Sequence, residues 1–420
     1  MKSVSVLVLI GLVAGLIAGA LVRGYAPGLT GAAEIATAFG GLWLNTLRMT
    51  VVPLVVSLLI TGVASVADTA RTGGLVARAI MLFTFLLFVM ATYSVVVTNG
   101  WLAIWPVDRT AADAFIAGVG DRAVTVSEPP SFTAWLQSLA PYNPIKAAAE
   151  DGMLALVVFS IFFGFATTRL QPDMRERIVN LFRAISEAMI VIVHWVLLAG
   201  PIGVFALALG VGLQAGFSAA GVLAQYVVVV TSVTAGSAIV AWLIAVTWGG
   251  QSIGRFTASA TPVWAIAAST QSSLASLPAM LEAALRGLRL PPHVADLILP
   301  LAVAVFRFTS PVANLAVCFF IAHLYGLEPS LLQIVSAVVV AYAVSIAAVG
   351  LPGQISFIAS IAPICLALGV PTEVLGILIA VEVIPDIWRT LGNVTGDLAA
   401  TSILARNQPR EDGGSPARQR

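Results

Sequence analysis

The sequence predicts an all-α membrane protein with eight transmembrane helices, two re-entrant helical hairpins and an inverted repeat. Three observations predict it. Hydrophobic residues fill 59% of the 420 positions and charged residues only 10%, against roughly 25% charged in an ordinary soluble domain. Apolar stretches of span length or longer follow one another along nearly the whole chain. Two of them are interrupted by residues that break helices, and each interrupted stretch precedes a long apolar one. The polar surface needed to cover a water-soluble core is missing, which argues against a soluble enzyme. A formal net charge of +1 without a long basic run argues against a nucleic-acid binder. Cys318 and Cys365 both lie in apolar runs, so they form neither a disulfide framework nor a CxxC metal site.

A span needs about 20 apolar residues to cross roughly 30 Å of hydrocarbon. The first candidate covers 3–22 behind Lys2; its small residues Gly15, Ala18, Gly19 and Ala20 also fit a cleaved signal peptide. Further segments cover about 33–67, 75–106, 143–169, 180–213 and 217–249, then 255–287, 294–325, 331–368 and 371–405. The longest imply tilt or re-entry rather than simple crossings. Lysine and arginine set the orientation. With the N-terminus inside, 14 of the 21 Lys and Arg fall on the cytoplasmic side and 4 outside, while Arg48, Arg307 and Arg389 lie within apolar segments. That balance requires 255–287 to dip in from the cytoplasmic side and 331–368 from the outer side. Both termini are then cytoplasmic, in a multi-pass protein of the cell (inner) membrane.

The break in the first dipping segment is Ser269-Thr270-Gln271-Ser272-Ser273, followed by Pro278; in the second it is Gly350-Leu351-Pro352-Gly353-Gln354. Non-helical backbone at membrane depth survives only when buried in protein or lining a wet cavity. Paired interrupted segments in two oppositely oriented halves point to a transporter's substrate site; two ordinary helices kinked by Gly and Pro are the alternative. Residues 106–142 are polar and turn-rich and read as an external loop without chemistry. The expected organisation is six N-terminal helices over 1–250, a core over 251–406 and a disordered cytoplasmic tail over 407–420.

The last segment carries Glu382, Asp386, Arg389, Asn393 and Asp397. Their offsets of 0, 4, 7, 11 and 15 residues, at about 100° each, fall within an arc of roughly 80°. A charge at mid-bilayer costs about 2.5–3.5 kcal/mol on insertion scales, so this face must look into a polar interior. Pairing that merely holds helices together is the bland reading, but small residues do that at far lower cost. The chemistry on offer is recognition of a zwitterion with an extra acid. Arg389 presents a planar fork that matches a carboxylate. Asp386 can accept from an ammonium, and Asn393 offers both donor and acceptor. Main-chain N–H groups at the two broken tips could bind a second carboxylate. An aspartyl protease would need two acids about 3 Å apart. Asp386 and Asp397 are eleven residues apart on one helix, or about 16 Å along its axis, and an HExxH motif is absent.

The run Asp386-Ile-Trp-Arg389-Thr390-Leu-Gly-Asn393-Val-Thr-Gly-Asp397 resembles the last-helix signature of the dicarboxylate/amino acid:cation symporters, the glutamate and aspartate transporter family. Arg48-Met-Thr-Val-Val-Pro53 resembles the family's second helix and Ala199-Gly-Pro-Ile-Gly-Val-Phe-Ala206 its fifth. Ser272-Ser273 with Leu277-Pro278 is similar to its first hairpin, and Leu351-Pro352-Gly353 to its second. The resemblance covers essentially 1–406. It implies a secondary active carrier of elevator type and a homotrimer, with helices two, four and five in a fixed scaffold. Helices three and six, the hairpins and helices seven and eight would move. By position it implies that Arg389 binds the substrate's side-chain carboxylate and that Asp386 and Thr390 take the amino group. Asn393 and the Ser272-Ser273 tip would take the main-chain carboxylate, with Leu351, Pro352 and Gly353 on the facing hairpin. Members for dicarboxylates without an amino group tend to lack the acid at the Asp386 position. Its presence favours aspartate or glutamate, with a C4-dicarboxylate as the alternative. Asp397 is implied as a cation ligand.

The departures concern sodium. Where the family's seventh helix carries Asn-Met-Asp-Gly-Thr, this chain reads Phe306-Arg307-Phe308-Thr309-Ser310. Third-helix positions that would offer hydroxyls read Phe83, Leu86 and Leu87, and Gln271 stands where the hairpin tip usually has Arg or a third Ser. A hard cation needs a cage of oxygens, and much of that cage is gone. The ion-coupling group expected is Arg307, Ser310, Glu382, Asn393 and Asp397, with a residual sodium site at Asn393 and Asp397. Arg307 is expected to stand in for a sodium by neutralising Asp397; the alternative has it pointing to a headgroup or an outer funnel. Transport would then run by exchange, facilitated diffusion or proton coupling through Glu382 or Asp397. No cofactor is expected beyond Na+ or H+ as coupling ion. The expected partners are a small acidic solute, the lipid bilayer and further copies of the chain, without nucleic acid. A channel and a non-transporting binding paralogue are the remaining alternatives, although a channel has no evident need of Arg389 facing Asp386.

Overall fold

Residues 2–69, 74–119, 131–216, 218–347 and 353–406 are described by a computed structural model, and among them there are helices and turns but no strand. In chain order, α1 (Lys2–Tyr25) leads through a 3-10 turn at Pro27–Leu29 into α2 (Thr30–Arg48). The segment expected at 33–67 is two helices, because the chain breaks at Met49-Thr50 before α3 (Val51–Thr69). Pro53, in the first turn of α3, lacks the N–H that an unbroken helix would require. α4 (Gly74–Ile104) is one long rod, followed by α5 (Arg109–Val119), α6 (Phe132–Ser138) and α7 (Pro144–Ala149). Then come α8 (Met153–Thr167), α9 (Pro172–Leu198), α10 (Gly200–Ala215) and α11 (Ser218–Thr247). The expected external loop at 106–142 is thus partly helical. Ala112, Phe115 and Val119 of α5 are buried where that helix meets α10 and α11. Its short apolar stripe is hidden in the sequence by the polar residues around it.

The second half begins with the expected hairpin, α12 (Ile253–Thr270) and α13 (Ser273–Glu282). Its tip is Gln271-Ser272. Gln271 takes a left-handed conformation (φ 53°) at the end of α12, a position usually left to Gly. Ser272 is extended and its Oγ accepts from Ala275 N–H at 3.2 Å, capping α13. A π-helical turn at Ala283–Gly287 ends that arm. The long helix expected at 294–325 is broken at 306–309 into α14 (Pro292–Val305) and α15 (Ser310–Tyr325). α16 (Leu331–Ala347) and α17 (Gly353–Leu368) lie side by side. Leu351 and Pro352, expected at the tip between them, lie outside the described residues, as does the tail over 407–420; Gly353 opens α17. The helix expected at 371–405 is also broken, into α18 (Leu375–Leu378) and α19 (Val383–Ala405). Pro385 in the first turn of α19 supplies the reason, since its ring tolerates the start of a helix and not its interior.

Among the described residues, six stretches are long and apolar enough to cross a membrane: Val6–Tyr25, Pro27–Ser65, Gly74–Ile104, Pro172–Leu198, Ser218–Thr247 and Pro292–Tyr325. At the centre, α15 is buried from Ser310 through Ala322, packed on α4 and α17, and α11 runs along α19. Arg48, one of the three arginines in apolar segments, pairs with Glu373 at 2.7 Å and donates to Thr372. α1 is seated along α10. A Cβ at Gly11, Gly15 or Gly19 would collide with the carbonyl oxygens of Pro201, Phe205 and Leu209. The small residues that fit a signal peptide therefore form a packing seam, the small-xxx-small spacing that lets membrane helices approach closely. Gly15→Ala is expected to destabilise the purified protein by about 1–3 kcal/mol through overpacking. Gly41→Ala, whose Cβ would meet nothing within 4 Å, should leave the thermal midpoint in detergent unchanged. Identical midpoints for the two variants would mean that the seam is not closed as described.

Candidate substrate and ion site

The polar row of α19 faces the protein interior. Arg389, Asn393 and Asp397 are buried together with Glu382, while Ile384 and Trp388 are exposed on the outer side. Asp386 keeps 15% of its side chain accessible. Glu382 is not on the helix itself; it occupies the turn before α19, and its side chain makes no capping bond. Its backbone is already helical, its carbonyl accepting from Asp386 N–H at 2.9 Å, and its side chain runs along the row to Arg389.

That changes which acid holds Arg389. The sequence suggests Asp386, one turn away. In the structure Arg389 Nη2 donates to Glu382 Oε1 at 2.7 Å, whereas its Nε is 4.0 Å from Asp386 Oδ1 and has no hydrogen-bond partner among the described residues. The other Glu382 oxygen, Oε2, accepts from Tyr226 Oη of α11 at 2.8 Å. Thr390 donates its hydroxyl to Asp386 O in its own helix at 3.0 Å, leaving only acceptor capacity for a substrate amine.

Asn393 serves the broken backbone. Its Oδ1 accepts from Thr309 N–H at 2.9 Å, and the Thr309 hydroxyl lies 2.9 Å from the same oxygen and 2.8 Å from Arg389 O. The chain between α14 and α15 thus finds in α19 the hydrogen bond that a helix would have supplied. Gly392 and Gly396 make the approach possible. A Cβ on Gly392 would collide with Thr309, and one on Gly396 would lie 2.7 Å from Phe308 Cβ. With its acceptor taken, Asn393 retains its Nδ2 donors for a carboxylate. The first hairpin is tied to α19 at two levels: Gln271 Nε2 donates to Val383 O at 3.2 Å at the start of the helix, and Trp264 Nε1 to Thr395 Oγ1 at 2.9 Å farther along it. Ser272 and Ser273 are thereby brought to the start of the polar row.

The space around the break at 306–308 is filled with rings. Phe83 of α4 stacks on Phe306 at 4.4 Å between centroids, and Phe308 meets Phe306 edge-on at 5.8 Å. Leu86 and Leu87 are buried beside them on α4. Asp397 has both carboxylate oxygens buried without a hydrogen-bond partner among the described residues. Ser310 Oγ accepts from Asn314 Nδ2 at 3.3 Å. No cluster of three or more His, Cys, Asp or Glu that could hold a metal occurs among the described residues. Arg389 and Asp386 lie within electrostatic range of Arg307, and Phe308, the next residue, packs against Gly396, the neighbour of Asp397.

The sequence model of the sodium:dicarboxylate symporter family matches residues 4–407. The chain belongs to the sodium:dicarboxylate symporter family. Among relatives of this symporter, the proton/glutamate-aspartate symporter of Escherichia coli (strain K12) is 28% identical, over 89% of this chain and 85% of its own. The proton/sodium-glutamate symport protein of Bacillus caldotenax is 25% identical, over 95% of this chain and 93% of its own. Human neutral amino acid transporter B(0) is 28% identical, over 97% of this chain and 81% of its own. Family and relatives are transporters, so the symporter is a multi-pass membrane transport protein and not an enzyme.

Two residues of the symporter's site escape a reading of the sequence. Tyr226 is a lone phenol in an apolar helix, and Thr309 hides in an aromatic run; only the polarity of each in apolar surroundings hints at a partner. Arg389→Ala would strand Glu382 as an unpaired buried charge and is expected to destabilise by about 3–5 kcal/mol. The double variant Glu382→Gln with Arg389→Met should recover most of that loss in detergent melts. A double variant as unstable as the single one would contradict the burial of the pair.

Proposed function

We propose that this symporter carries an acidic amino acid, aspartate or glutamate, across the cytoplasmic (inner) membrane, with both termini cytoplasmic. The observation that carries the reading is Arg389, buried on α19 with Asp386 one turn away at its accessible edge. A neutral solute would leave the remaining edge of that guanidinium, whose Nε has no hydrogen-bond partner among the described residues, unmet, and a simple anion would leave Asp386 without an ammonium. In this reading Arg389 binds the side-chain carboxylate and Asp386 with Thr390 the amino group. Asn393 and the Ser272-Ser273 tip bind the main-chain carboxylate, and the second hairpin around Leu351, Pro352 and Gly353 covers it. The names of the relatives, which include glutamate-aspartate and glutamate symporters, support an amino-acid substrate. A C4-dicarboxylate is the second reading, favoured by the charge of Arg307 acting on Asp386, which competes with a substrate ammonium.

We read the architecture as eight transmembrane helices with two re-entrant hairpins, assembled as a homotrimer. A fixed scaffold is drawn from helices within 1–250, and a core over 251–406 moves as an elevator together with the third and sixth helices. Coupling is read as independent of sodium. Rings at Phe83, Phe306 and Phe308 replace oxygen ligands, which removes the cage a hard cation needs. Arg307 contributes a fixed positive charge, and a proton on Glu382 or Asp397 is the remaining coupling ion; Asn393 and Asp397 are what is left of a sodium site.

The test is uptake of labelled aspartate, glutamate and succinate into proteoliposomes, with proton and sodium gradients imposed separately. Aspartate or glutamate uptake driven by an inward proton gradient, without sodium, is expected. Uptake strictly dependent on a sodium gradient, with Arg307→Met nearly silent, would overturn the coupling. Asp386→Asn should raise KM for aspartate at least about tenfold, from the loss of a charged hydrogen bond, and leave succinate the better substrate. Succinate preferred by the unaltered protein would select the second reading, and binding without flux would refute transport.

A further inference from the structure

We propose that Tyr226 is a positioning residue for substrate recognition, acting through Glu382 to fix the plane of the Arg389 guanidinium. The proposal rests on the reading of Arg389 as the carboxylate anchor. Tyr226 is fully buried in α11 among Val222, Val229 and Val230, and its ring is held edge-on to Phe320 of α15 at 5.3 Å. A phenol enclosed in this way has one polar atom, and here it is directed at Glu382 Oε2. Glu382 needs such a hold. It lies in the turn before α19 and caps nothing, and the last torsion of a Glu side chain is broad.

The three groups form a relay that crosses from one helix to another. Tyr226 Oη holds Oε2 at 2.8 Å, and Oε1 holds Arg389 Nη2 at 2.7 Å. Arg389 is thereby anchored through one nitrogen, while its Nε has no hydrogen-bond partner among the described residues. A guanidinium recognises a carboxylate by its planar fork, so the orientation of that plane decides how well a guest is met. Groups that stand behind a ligand-binding side chain and orient it typically change affinity by about 10- to 100-fold when removed, as at metal centres. With phenylalanine at 226, Oε2 would lose its donor and Glu382 would be free to turn, taking Arg389 with it.

The experiment is a double-mutant cycle on aspartate affinity in the full-length protein, using Tyr226→Phe, Glu382→Gln and their combination. Tyr226→Phe is near-isosteric and should weaken binding about tenfold, the scale of one hydrogen bond to a charged group. Because Tyr226 acts through Glu382, it should have no further effect in the Glu382→Gln background. Additive effects, or an unchanged affinity in Tyr226→Phe, would overturn the proposal. A second measurement is independent of substrate: the rate at which butanedione modifies Arg389, read by peptide mass spectrometry. Tyr226→Phe and Glu382→Gln should both accelerate it several-fold. If the unaltered chain bound no aspartate, the substrate reading would fail while this rate still tested the relay; equal rates in all forms would refute it.

Discussion

Glu382 and Arg389 are both withdrawn from water and from lipid, in a protein whose surroundings can stabilise neither. Desolvating two such charges costs several kcal/mol each, and their attraction offsets that only when the geometry is good and the remaining polar atoms are satisfied. The 2.7 Å contact supplies the geometry and Tyr226 satisfies the second carboxylate oxygen. Much of the surrounding arrangement follows from keeping this pair dry and paired. α11 must run beside α19, the chain must turn before Val383, and Ile384 and Trp388 of α19 must face outward.

The same economy governs the broken backbone. Two rods that could have been continuous helices are interrupted at 306–309 and before Val383. In hydrocarbon an unpaired N–H has no water to fall back on. Asn393 answers for Thr309, and Gln271 reaches the Val383 carbonyl from the hairpin tip. Gly392 and Gly396 remove the Cβ atoms that would keep α19 away from the break. Residues with the look of substrate ligands therefore carry structural duties as well, and Asn393 has one functional face left.

An aromatic cell lies beside the polar row, where Phe308 packs against Gly396. Stacked rings at Phe83 and Phe306 pack well and exclude water, yet they present no oxygen to a hard ion. Arg307 and Asp386 add a balancing charge of each sign near Arg389.

Composition and periodicity alone determined that the chain is membrane-embedded and helical. A solvent of lipid requires apolar length, and length is written one residue at a time. The inward face of α19 was equally legible, because helical geometry maps spacing onto direction. The tip at Gln271-Ser272 was legible from its polar run. The sequence did not show that Glu382 rather than Asp386 grips Arg389, or that Tyr226 stands behind it. Nor did it show that α5 is a buried helix, or that α14 and α15 are separate. Those outcomes depend on which distant segments meet and on where a proline ends a helix. Such contacts are a property of three-dimensional packing, in which residues 226 and 382 become neighbours although the chain places them far apart.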